Sequence, residues 1–176
     1  MANLNFKALN VENWLKQDSV MQHFGGINIS TGKAGVRPAN DWAALFLQPK
    51  LHHTVPDQVA GLVEAARGAT LYGWFFYPLY VIAEGQMYIA AEAALREKYL
   101  AVTGVPARYE RLPRFAKLLG WAVKEGVVTE DRVAWWRGAE RRRNATTHAP
   151  IQGLKPPIHV LETLVLVCQH INALFE

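Results

Sequence analysis

Residues 79–102 read LYVIAEGQMYIAAEAALREKYLAV, and the reading of this stretch decides the fold. Its second half, Ala90 to Lys98, is rich in strong helix formers. Gly104 and Pro106 close it, so the pattern predicts one long helix from Leu79 to about Val102. Within it Glu84 stands among Val81, Ile82, Ala83, Met87 and Ile89. A carboxylate in so apolar a setting requires a partner once buried. The favoured reading is a structural ion pair with an arginine from another helix; the sharper one is that Glu84 orients an active-site group.

Working upstream, Pro56-Asp57 is a helix start, with Val59, Leu62, Val63 and Ala66 at helical spacing behind it. The helical pattern runs on to Tyr77, and Pro78 is expected to break or kink it near Trp74. The aromatics Tyr72, Trp74, Phe75, Phe76, Tyr77 and Tyr80 read as core. The apolar run from Leu71 to Ala83 is about half of the ~20 residues that span a bilayer. Before Pro56, Asn10 is placed to cap a helix from Val11 to about His23, with Val11, Trp14, Leu15 and Met21 inward. Gly25 to Val55 is broken by glycines and prolines, with one helical stretch starting at Asn40-Asp41. Gly26 to Lys33 ends in Gly-Lys, but Ala34 stands where a phosphate loop needs Ser or Thr. His52 and His53 are adjacent and point apart, which suits surface histidines rather than a metal pair.

Working downstream, Leu112-Pro113 opens a helix with Phe115, Leu118, Leu119 and Ala122 inward, ended by Gly126. Thr129 caps the next, with Glu130 and Asp131 in its first turn. Its apolar stripe fades after Ala139, which is unusual for a helix that only fills a core. Pro156-Pro157 starts a last helix whose stripe, Ile158, Leu161, Leu164, Val165, Cys168, Ile171, Leu174 and Phe175, must be covered by the bundle or by a second copy of the chain. Five or six helices, short connections and no convincing strand define an all-α antiparallel helical bundle over residues 56–176, with an irregular N-terminal extension over 1–55.

With 51% hydrophobic and 19% charged residues, the 176-residue chain has the composition of a folded domain, not a disordered one. The single cysteine, Cys168, lies in an apolar run and reads as a buried inert thiol, in a reducing, cytoplasmic setting. Residues 1–6 show no signal-peptide pattern. Formal net charge is +4 and unevenly placed. Residues 108–143 carry ten Lys and Arg against five acids, a net of +5, leaving −1 for the rest. Such an excess fits a partner with phosphates, or a solvated helix face.

The excess peaks at Arg141-Arg142-Arg143-Asn144-Ala145-Thr146-Thr147-His148-Ala149-Pro150. On a helix Glu140, Asn144 and His148 share a face. Arg143 and His148 lie about 140° apart around the axis, so they meet on one phosphate only if the helix end loosens or a second molecule completes the site. RNA carries its own nucleophile, the 2′-hydroxyl. Its cleavage needs a proton carrier near neutral pH, which histidine supplies, and positive charge for the phosphorane, which arginine supplies. Asn144 is placed to hold a phosphate oxygen or to fix the imidazole tautomer. Such chemistry needs no metal or cofactor. Cations at a helix C-terminus also interact well with its dipole without any catalysis.

Arg143-Asn144-x-x-x-His148 matches the Arg-x(4–6)-His signature of the HEPN domain family, in its form with a polar residue after the arginine. The chain resembles that family over roughly residues 56–176: the signature lies near the end of the penultimate long helix, and a loop and an apolar last helix follow. The resemblance implies a metal-independent endoribonuclease of the toxin or antiphage-defence type, a homodimer whose two signatures face one cleft. Arg143 and His148 would then be catalytic with Asn144 assisting, and Arg137, Arg141 and Arg142 would contact RNA. Partners of such proteins include an antitoxin or a nucleotidyltransferase-type protein. Two other readings stand beside it: a non-catalytic HEPN-like module that binds RNA or protein, and a structural helical protein that pairs through its last helix.

Overall fold

The computed structural model describes residues 7–27, 31–105, 113–148 and 155–176, with backbone alone for 146–148. It is a mostly helical bundle. A 3-10 helix at Ser19–His23 leads to a two-stranded antiparallel hairpin, β1 (Gly25–Ile27) and β2 (Ala34–Val36), with Gly26 opposite Gly35. Six α-helices follow: α1 (Ala39–Phe46), α2 (Asp57–Tyr72), α3 (Leu79–Thr103), α4 (Phe115–Lys124), α5 (Glu130–His148) and α6 (Pro157–Asn172). The hairpin departs from the strand-free expectation. It is three residues per strand and largely exposed, so no alternating apolar pattern marks it in the sequence.

The central helix is α3, which packs against α2, α4, α5 and α6. Its predicted extent holds, and Gly104 closes it in the left-handed conformation at φ 64°, which glycine adopts without strain. The break or kink expected near Trp74 is a full stop. Helix α2 ends at Tyr72, residues 73–78 form turns, and α3 runs back alongside α2. Two features impose the break. Pro78 lacks an N–H, and the N–H of Tyr77 is taken by the buried Asp18 carboxylate at 2.9 Å. Gly73 lets the Tyr80 ring lie against the turn.

Asp18 also explains the N-terminal segment. Its other oxygen accepts from Val20 N and caps the 3-10 helix, while its own N–H donates to Trp74 O. The helix expected over Val11–His23 is therefore absent: Asn10 caps a single turn, and Val11, Trp14 and Leu15 stand exposed. Met21, Trp42 and Phe46 nevertheless belong to the same buried cluster as Val59, Tyr80 and Leu164. Phe46 meets the Tyr80 ring, Phe24 stacks on Tyr77, and the buried Arg67 donates to the last carbonyl of α1, Phe46 O, at 2.6 Å. Of the aromatics between 72 and 80 read as core, Tyr72 alone is exposed.

Helix α4 buries Phe115, Leu118, Leu119 and Ala122 as its spacing requires. Of the predicted α6 stripe, Leu164, Cys168, Ile171 and Leu174 are buried, Leu161, Val165 and Phe175 half-buried and Ile158 exposed, while Val160 and Val167, outside that stripe, are buried as well. Burial raises the Cys168 thiol, so it stays protonated. No helix among the described residues is long and apolar enough to cross a membrane.

His170 on α6 stacks on Trp135 of α5 at 4.0 Å between centroids. Burial, and then the charge of Arg132, pull its pKa down to about 4, against a smaller opposing pull from Asp131. The folded ring thus stays neutral below the ~6.5 of a free histidine, and the unfolded chain takes up a proton that the folded one refuses. Stability is expected to fall as pH drops from about 6.5 to about 4, by on the order of 1–2 kcal/mol once partial solvation of the ring is allowed for. Urea unfolding at pH 7 and pH 4.5 checks this, and His170→Phe is expected to lose less over that interval. A Cβ on Gly73 would lie 2.8 Å from the fully buried Tyr80 ring. Gly73→Ala is therefore expected to cost about 1–3 kcal/mol, read as a lower melting temperature.

Candidate functional site

Glu84, Tyr88 and Glu92 stand one turn apart on α3 and are all buried. A buried carboxylate is costly unless paired, and both are met by cations from elsewhere in the chain. Lys155, just before α6, places Nζ 2.8 Å from Glu84 Oε2, and Arg142 Nη1 lies 3.7 Å from Glu84 Oε1. Glu84 thus has the structural partner that its surroundings require, with a lysine nearer than the arginine. The Tyr88 hydroxyl sits between, 3.5 Å from both Glu84 Oε1 and Arg142 Nη1. Burial raises the Tyr88 phenol, and the Glu84 charge adds to the effect. The Lys155 backbone is held by the Tyr77 hydroxyl, which donates to Lys155 O at 2.6 Å.

One turn further along α3, Glu92 accepts from Arg143 Nε at 2.9 Å and from Arg96 Nη2 at 3.1 Å. Arg143 Nη1 also donates to Asn144 Oδ1 at 3.4 Å. A guanidinium bonded this way is fixed in orientation before anything binds it.

The sequence-predicted cluster is thereby divided. Arg142 and Arg143 turn toward α3. Arg137 and Arg141, one turn apart, line an open groove of about 390 Å³ against α4, with Glu140 beside them. These four cations do not form one patch. Helix α5 stays helical through His148, so the Arg143 and His148 positions lie about 140° apart around its axis. The His148 side chain and the expected stop at Pro150 lie outside the described residues. Loosening of the helix before His148 is not what brings the two positions together.

Glu92, Tyr88 and Lys155 were not singled out from the sequence. A signal for two of them was present: Glu84, Tyr88 and Glu92 recur every four residues inside an apolar helix. Lys155 carried none, because only the fold brings it to Glu84. Among the described residues no three His, Cys, Asp or Glu side chains are grouped to hold a metal ion.

Glu84→Ala removes the acceptor shared by Lys155, Arg142 and Tyr88, and is expected to cost about 1–3 kcal/mol. Thermal melting checks this, with Glu84→Gln falling between. A melting temperature unchanged in Glu84→Ala would mean that the cluster does not hold the end of α5.

Against known proteins, no family model matches the chain, and no curated protein or solved structure is significantly similar to it.

Proposed function

We propose that the chain is a HEPN-like, metal-independent endoribonuclease acting through Arg143 and His148. The observation that carries the reading is the fixed guanidinium: Arg143 is held by Glu92 at 2.9 Å, on the helix that continues through Asn144 to His148. A cation oriented in advance stabilises developing phosphorane charge without reorganising at the moment of reaction. In the reaction the 2′-hydroxyl loses its proton and its oxygen bonds to phosphorus. The 5′-oxygen leaves and takes a proton, giving a 2′,3′-cyclic phosphate and a 5′-hydroxyl. His148 is assigned the proton transfers and Asn144 a supporting contact. Because one α5 separates the two positions by about 140°, the cleft needs the helix end of a second copy, and the active form is a homodimer.

The runner-up reading is an RNA- or protein-binding dimerisation module without turnover. It is favoured by the pairing of Arg142 and Arg143 with carboxylates, which offsets charge that a phosphorane would use.

Incubation with total RNA in EDTA separates the two. The nuclease reading expects cleavage with cyclic-phosphate ends, reduced ~10²–10⁴-fold in His148→Ala. Undiminished cutting by that variant removes the assignment. The binding reading expects no turnover and RNA retention that weakens with salt and in Arg141→Ala.

A further inference from the structure

Between α2, α3 and α5 lies a recess of about 240 Å³, with Arg143 at one edge. We propose that it is a subsite for one unstacked guanine base of RNA, next to the phosphate that Arg143 would meet. The proposal rests on the RNA reading above and deepens it.

Size comes first. The volume is below the ~300–1,000 Å³ of sites for drug-sized ligands, so the recess suits a single ring system. Its walls are aliphatic: Leu62 from α2, with Ile89 and Ala93 from α3. A planar base is held between apolar side chains of this kind once it leaves its stack.

The rim decides which ligand. Arg96 and Arg143 are matched there by Glu92 and Glu97, so the formal charge balances. A free anion gains little from such a rim, whereas a neutral ring bearing N–H groups finds acceptors. Glu97 has no ion pair, and the Gln58 amide no protein partner, among the described residues. A carboxylate only accepts, through two oxygens side by side. Guanine is the base that presents two neighbouring donors, N1–H and the N2 amino group, to match them. Adenine and cytosine each set a ring acceptor beside their amino group, and uracil sets a carbonyl on each side of its N–H. Each would leave one Glu97 oxygen facing an acceptor. The Gln58 amide can both donate and accept, which fits the remaining edge of the ring.

The test is calorimetric titration of the intact protein with guanosine 5′-monophosphate, beside the adenosine, cytidine and uridine monophosphates. Expected is tighter guanosine binding by about tenfold or more, the discrimination of one good bidentate contact. Ala93→Phe, which fills the recess, is expected to abolish binding. Glu97→Gln, a milder change that guards against misfolding of the first, is expected to remove the preference for guanosine. Binding is read without any cleavage step, so the subsite can stand even where the cleavage reading fails. Equal binding of all four nucleotides, no binding, or binding unchanged in both recess variants overturns the subsite, whether or not the protein cuts RNA.

Discussion

Two carboxylates buried on one face of α3 set the terms for everything around the candidate site. Glu84 and Glu92 are 4% and 8% exposed, and isolated burial of either would cost several kcal/mol. The chain can afford the face only by bringing cations to it. Arg142 and Arg143 come from the last turns of α5, Lys155 from the segment just before α6, and Arg96 from α3 itself. Partners from three elements converge on one helix face, so the relative placement of α3, α5 and α6 is tied to electrostatics as well as to apolar packing.

This accounts for an oddity of α5. Its apolar stripe, Trp136 and Ala139, is buried in the ordinary way and then stops. Past it, Arg142 and Arg143 meet the buried carboxylates of α3. Beyond Ala139 the helix continues its interface with guanidinium groups, whose long stems cover surface while their charged ends reach carboxylates. The same pairing gives Arg143 a defined orientation and draws Arg142, still largely exposed, toward Glu84. Arg137 and Arg141 are left on a separate face beside α4.

A further buried carboxylate organises the core around the α2–α3 turn. Asp18 joins the N-terminal segment to the α2–α3 turn by accepting from Tyr77 N, a donor that burial would otherwise leave unsatisfied, and by donating its own N–H to Trp74 O. Fixing the chain at Asp18 ends any helix before it and places Met21 under the bundle. Val11, Trp14 and Leu15 are left outside.

Local chemistry was enough to read the helices of the bundle. Strong formers and Gly104 defined α3, Pro56-Asp57 started α2, and the spacing of Phe115, Leu118, Leu119 and Ala122 defined the buried side of α4, because each of these rules acts within a few residues. The need of Glu84 for a cationic partner was also legible, since an apolar neighbourhood is visible in one dimension. What that partner would be was not. Lys155 is 71 positions away, and the division of the arginines depends on which neighbour each side of α5 faces. Pro78 marked a break or kink near Trp74, but not that the donor a continuous helix would have used is claimed by Asp18, 59 positions earlier. Periodicity assigns a residue to a side of its own helix; which charge waits opposite is settled only when the helices pack.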